Sequence, residues 1–257
     1  MPQPDPAGSR PPLGFSLRKW VGSRLRRGFG LAALLSLGAA QGAMAEGERG
    51  VVVELFTSQG CVACPPADAL MARLAGRPGV IALSLHVDIW DYLGWADPFA
   101  DPAFTSRQKA YARAAGHRSI FTPQMIVGGV HRLAAPRGME LADLVRDEAA
   151  RPDRVRLSLR RTGETLRISA EAEPPLERGA RIDLVRYTPH ATVLIEAGEN
   201  AGMEVTQHNI VTLWKEIARW DGTAPLTLEV RIEGGEPAVV IVQEPGPGPI
   251  LAAQRAP

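Results

Sequence analysis

Two cysteines flank two residues in the stretch ELFTSQGCVACPPAD, residues 54–68, and the chain has no others. Cys61 and Cys64 follow an apolar run directly and are themselves followed by Pro65–Pro66. A C-x-x-C pair at the start of a helix has a defined chemistry. Unpaired amides and the positive end of the helix dipole favour a thiolate over a thiol. Cys61 would attack a disulfide, and Cys64 would resolve the mixed disulfide. Pro65 and Pro66 carry no N–H, so the amides of Val62 to Cys64 must supply most of that stabilisation. Two other readings use the same residues. One is a static disulfide bracing the helix start. The other is half of a zinc site, which needs four ligands. Histidines would have to complete it, and none of the five (His86, His117, His131, His190, His208) forms an H-x-x-x-H pair.

Other residues could serve the pair. His86 and Asp88 close an apolar run, where an open α/β sheet presents its ligand site. Either could move protons for the thiols. Either could also simply cap and hydrogen-bond a strand end. Trp90, Tyr92 and Trp95 could line a substrate groove beside the cysteines, or pack as the core of their own loop. Glu199, Asn200, His208 and Asn209 could form a polar site facing the cysteines. Asn200, between Gly198 and Gly202, also reads as turn chemistry, and His208–Asn209 as partners of local backbone. Thr122–Pro123 precedes a strand-like run, and a proline at a strand's first residue costs no ladder bond. No G-x-S-x-G elbow, P-loop or G-x-G-x-x-G is present.

The elements that must position these residues are legible from periodicity. Val51–Phe56 is β-branched and apolar and predicts a strand. Pro65–Pro66 opens a helix with Leu70 and Leu74 on its apolar stripe, ending at Gly76. Val80–Val87 predicts a second strand buried on both faces. Residues 88–102 predict an ordered loop, and Phe104–Ala115 a helix with Tyr111 and Ala115 on the side of Arg107. Gln124–Val127 and Val130–Leu133 flank Gly128–Gly129 as a hairpin, and Met139–Ala150 is a final amphipathic helix. From residue 153 the texture changes. RVRLSLRR and LRISAEAE alternate with period two, and IDLVRY, ATVLIE, LTLEVRI and AVVIVQ read as further strands. The expected organisation is an α/β domain over 49–150, a boundary near Arg151–Pro152, and a small all-β sandwich domain over 153–257.

The N-terminal segment reads as an export signal. Residues 1–27 hold six basic residues and one acidic residue, and residues 28–45 are uncharged and end in Ala43-Met44-Ala45. Arg26–Arg27 before the apolar run fits a twin-arginine signal, and equally an ordinary basic region of a general secretory signal. Removing residues 1–45 would take the formal charge from +1 to about −4. That excludes a broadly basic nucleic-acid surface, and no membrane anchor is expected after cleavage. The expected location is the periplasm or the exterior, where disulfides persist.

The combination of C-x-x-C, strand–helix–strand order and a downstream Thr-Pro resembles the thioredoxin-like superfamily. More narrowly, ELFTSQGCVACPPAD, HVDIWDYLGWADPFADPAFTSRQKAYA and FTPQMIVGG resemble the secreted bacterial family named domain of unknown function 1223. GENAGMEVTQHN and GPGPILAA are similar to its C-terminal part. The resemblance spans residues 49–255 and implies a thioredoxin-like α/β fold. It also implies a cis Thr122–Pro123 bond with Pro123 facing the cysteines and Thr122 offering backbone atoms to a partner chain. The family carries no settled activity. The expected activity is thiol–disulfide exchange through Cys61 and Cys64 with a protein or small-molecule thiol partner and no cofactor. The alternative is a binding module with a static disulfide, or one whose reduced thiols take a soft metal such as Cu(I) near His86.

Overall fold

The computed structural model describes residues 47–257. The export signal expected over residues 1–45 lies outside the described residues. The chain opens with β1 (Val51–Thr57), α1 (Pro65–Leu74) and β2 (Val80–His86), and β1 and β2 pair in parallel. A loop with a single 3₁₀ turn at Asp91–Leu93 leads to α2 (Pro102–Ala114). The side chain of Asp101 caps α2 by accepting from the Ala103 amide at 2.7 Å. Next come the hairpin β3 (Gln124–Val127) and β4 (His131–Ala134) and then α3 (Gly138–Ala149). Each of these elements matches the sequence reading within a few residues.

The second half departs from it. β5 (Val155–Thr162), β6 (Thr165–Ala172) and β9 (Leu226–Arg231) form a three-stranded antiparallel sheet. The other strands, β7 (Ala180–Leu194), β8 (Glu204–Trp220), β10 (Ala238–Gln243) and β11 (Ile250–Arg255), join the first sheet in the order β11-β10-β7-β8-β2-β1-β3-β4. The expected boundary at Arg151–Pro152 therefore separates no independent sandwich. One layer of the β-rich half is the continuation of the α/β sheet, and the described residues 47–257 belong to one compact unit.

The physical reason lies at β2. Without β8, its outer edge would leave ladder groups of a fully buried strand unpaired. β8 meets β2 in parallel at Ser84 and Ile210. Two side chains reinforce the seam: Ser84 Oγ donates to the His208 carbonyl (2.8 Å), and Asn209 Nδ2 donates to the Ala82 carbonyl (2.9 Å).

Three apolar clusters fix the layers. Met71 and Leu74 of α1 and Leu141 and Val145 of α3 pack on one face of the central strands. Phe104 and Tyr111 of α2 pack on the other face, against Phe56, Leu83 and Ile126. The small sheet covers the outer strands, with Leu157, Leu166 and Ile168 against Ile182, Val240 and Val242.

Between α2 and the sheet lies a buried charged network. Arg107 grips Glu54 with two bonds, Nε to Oε2 at 2.6 Å and Nη2 to Oε1 at 3.0 Å. Tyr111 donates to Glu54 Oε1 at 2.6 Å, and Gln243 joins through Arg107 and Tyr111. The guanidinium lies 3.6 Å from the centroid of the Trp214 ring. Burial alone would lower the Arg107 pKa, but the Glu54 charge overcomes it and holds the group protonated. Burial together with the Glu54 charge raises the Tyr111 hydroxyl and keeps it a donor.

Arg107→Met should cost about 3–5 kcal/mol, because it strands a buried carboxylate. Glu54→Gln combined with Arg107→Met should cost less than the sum of the two single changes. Urea unfolding of all four proteins checks this, and strict additivity would show that the pair is not coupled.

Candidate active site at the end of β1

β1 delivers the chain into two tight turns. The Gly60 amide donates to Ser58 Oγ at 3.1 Å, and the Cys61 amide to the Ser58 carbonyl at 3.1 Å. The Cys64 amide then donates to the Cys61 carbonyl at 3.1 Å, and Cys64 becomes the N-cap of α1 with Pro65 and Pro66 behind it. Cys61 and Cys64 are joined by a disulfide, with their Cα atoms 5.4 Å apart. The turn is at the surface but its cysteines are not. Val62 is 64% exposed, whereas Cys61 is 5% and Cys64 1% exposed. Because the Cys64 amide is engaged, amide support for a thiolate falls mainly to Val62 and Ala63.

Ionisable groups gather at this junction. His86 at the end of β2 is the cross-strand partner of Thr57. Its Nδ1 lies 2.7 Å from Asp97 Oδ2, and both side chains are fully buried. Asp97 also accepts from the amides of Gln59 (2.8 Å) and Phe99 (2.9 Å). Burial by itself would raise the Asp97 carboxyl. The hydrogen bond and charge of His86, with the two amides, outweigh burial and hold it below the usual range. An ionised Asp97 requires the proton to sit on Nδ1. Nε2 is then buried without a protein partner.

Asp68 stands one helical turn after Cys64, and its amide donates to the Cys64 carbonyl at 3.1 Å. Its carboxylate accepts from Thr57 Oγ1 at 2.8 Å. Burial pushes its pKa up to about 6, against the lowering pull of Thr57, His86 and Gln207. Asp68 is therefore an acid with a pKa raised toward neutrality, one helical turn after Cys64.

The aromatic loop is tied to the junction. Trp90 Nε1 donates to Thr122 Oγ1 at 2.7 Å, and Trp95 Nε1 donates to Gln59 Oε1 at 2.8 Å. Trp90 also crowds Gly60, where an added Cβ would meet its Cβ at 3.1 Å. Tyr92 stacks on Trp90 and is 76% exposed. The Thr122–Pro123 bond is cis. The β1–β3 register, with Phe56 opposite Gln124, puts this dipeptide at the sheet end where Cys61 sits. From the far half of the chain, Asn200 Nδ2 donates to the carbonyls of Gln59 (2.8 Å) and Cys61 (3.2 Å).

The structure thus brings Cys61, Cys64, His86, Trp90, Trp95 and Thr122–Pro123 to one sheet end. Asp88 is engaged with α2: Thr105 Oγ1 donates to Asp88 Oδ1 at 2.6 Å, so this carboxylate anchors α2. His208–Asn209 serve the β2–β8 seam. Asn200 does more than shape its turn. Sequence reasoning passed over Asp97, Gln59 and Asp68. Of these only Asp68 carries a local signal, its four-residue helical spacing from Cys64.

These features define a mixed α/β protein whose large sheet presents a C-x-x-C disulfide at a strand–helix junction. The chain belongs to the family described as protein of unknown function (DUF1223), which matches residues 52–243. A crystal structure of protein AGR_C_4864 from Agrobacterium tumefaciens is similar at 28% identity and a TM-score of 0.69, covering 82% of this chain and 96% of that one. HBP35 of Porphyromonas gingivalis shares the fold at 14% identity and a TM-score of 0.59, over 81% of this chain and 74% of that one. No curated protein matches the chain significantly.

The raised Asp68 pKa sets a sign for stability. A folded pKa near 6 against about 3.9 unfolded favours the folded state below pH 4, and that benefit is lost as pH rises through 6. The ionised group then costs on the order of 3 kcal/mol at pH 7.5. Asp68→Asn, which still accepts from Thr57, should be more stable than wild type at pH 7.5 and no more stable at pH 4. Denaturant midpoints at both pH values check this, and a pH-independent difference would contradict the assigned shift.

Proposed function

We propose that this chain is an exported thiol–disulfide oxidoreductase using Cys61 as attacking thiol and Cys64 as resolving thiol. The observation that carries the reading is the disulfide between the only two cysteines, at a strand–helix junction with a near-neutral carboxyl one turn away. The order β1-α1-β2, then a hairpin and α3, together with the cis Thr122–Pro123 bond, supports reading residues 51–149 as a thioredoxin-like unit. The basic and apolar N-terminal residues ending in Ala43-Met44-Ala45 support export.

In the reduced protein the Cys61 thiolate attacks a partner disulfide. One partner sulfur leaves as thiolate and a mixed disulfide forms. Cys64 loses its proton and attacks Cys61 Sγ, which releases the second partner thiolate and closes Cys61–Cys64. In this reading Asp68, one turn after Cys64 on α1, takes the Cys64 proton, and Asp97 orients His86. The protein gives up two electrons to its partner, and the reverse sequence returns them.

The near-complete burial of both cysteines favours a second reading, a static brace in a binding module. The reduction potential separates the two. A value between about −120 and −230 mV supports exchange, and one below about −300 mV supports the brace. In the exchange reading, Cys61→Ser abolishes activity, and Cys64→Ser accumulates a mixed disulfide visible by intact mass. A Cys61→Ser protein that still exchanges thiols would overturn the assigned roles.

A further inference from the structure

The hairpin of β7 and β8 has no part in the C-x-x-C unit itself, yet its tip, residues 195–203, is fastened to it. Asn200 is 6% exposed and spends both side-chain donors on the carbonyls of Gln59 and Cys61. Gly198 sits against Trp95: a Cβ there would lie 3.2 Å from the Trp95 Cβ. The tip is held internally by short backbone bonds, Gly202 to Ile195 at 2.7 Å and Met203 to Asn200 at 3.2 Å. It is therefore a compact unit bound to the cysteine turn through one side chain.

We propose that Asn200 is a latch, and that the tip it holds on the cysteine turn restricts which thiols reach Cys61. The inference rests on the redox reading of that pair. The entering thiolate must approach Cys61 Sγ along the Cys61–Cys64 axis, break that bond and release Cys64 as thiolate. The second thiol of the dithiol reductant then attacks the mixed disulfide, frees Cys61 and closes the reductant's own disulfide. Two electrons pass to the pair, and the two cysteine thiolates take up the protons lost by the dithiol. Val62 and Ala63 lie open to solvent while both cysteines are covered. A small reductant needs only a local opening. A thiol carried on a chain needs more room beside the cysteine turn, to whose Cys61 carbonyl the tip is fastened. Asn200 is thus a positioning residue that sets substrate size, and the preferred partner of the closed form is a small or narrow dithiol.

The test follows reduction of the protein's own disulfide in stoichiometric, stopped-flow form, so a protein without turnover still reports the latch. Dithiothreitol is compared with a linear peptide carrying its own C-x-x-C dithiol. Losing two ordinary hydrogen bonds should speed reduction by the peptide on the order of tenfold. In Asn200→Ala, reduction by dithiothreitol should change much less. Asn200→Asp, which keeps the size but not the donors, should behave like Asn200→Ala. Equal acceleration by both reductants, or none, would overturn the latch. Should these variants fail to fold, amide exchange in the wild type decides. Amides of residues 201–203 are expected to exchange together and faster than those of β8 beyond residue 210, and protection equal to that part of β8 would overturn the proposal.

Discussion

A carboxylate and a guanidinium with almost no solvent contact stand at the centre of this fold. Glu54 is fully buried and Arg107 nearly so, and removing both from water is costly. The arrangement holds because the pair is hydrogen-bonded further to Tyr111 and Gln243, and the Trp214 face lies beneath the guanidinium. Those partners come from α2, β10 and β8. The pair therefore does more than join β1 to one helix. It makes the early α/β elements and the late strands one body, which the continuous sheet then extends. It also fixes the register of β1. A slip of one residue would turn Glu54 into the opposite apolar layer, among Val53 and Leu55.

The position of the cysteine turn follows from that fixed strand. Its stem is held from three directions. Thr57 bonds Asp68 on α1, Gln59 bonds Asp97 and Trp95 in the loop after β2, and Asn200 reaches in from the β7–β8 hairpin. Gln59 uses its amide, its carbonyl and its side-chain oxygen in separate directions. Only Val62 and Ala63 remain at the surface. A turn fixed at its stem keeps one geometry for the sulfurs, as a preorganised site requires.

How much of this the sequence carried depends on the range of each interaction. β1, α1, β2, α2, the β3–β4 hairpin and α3 were legible because each has a clean period and a turn or proline signal at its end. β8 was not. Its seventeen residues face both solvent and core irregularly, and the pairing with β7 shifts register at two bulges. β11, ILAAQR, is too short and too mixed to carry a strand signature of its own. Missing these two strands turned one extended sheet into two domains. At the site, Asp88 attracted notice through its closeness in sequence to His86. Asp97 is the true partner because the loop returns to β2, and nothing local announces that return. The bond from Asn200 to Cys61 spans 139 positions and no short pattern could have shown it.

The two buried polar networks differ in a way that bears on function. Around Glu54, Arg107, Tyr111 and Gln243 every buried side-chain polar atom has a partner. Around the cysteine turn the books do not close: His86 Nε2 and Gln59 Nε2 are buried without protein partners. Asp68 is also held where its ionised form is disfavoured. An asparagine at 68 would keep the Thr57 bond without that cost, so stability alone does not account for an acid there. A titrating group one turn from Cys64 does have a use when a thiol must lose or regain a proton. Buried side-chain atoms without a partner occur at several places among the described residues; two of them, on His86 and Gln59, lie where chemistry is proposed, and none belongs to the four residues of the Glu54 network. A buried acid kept where its ionised form is disfavoured, next to the cysteine turn, is what a site that gives up stability for reactivity would hold.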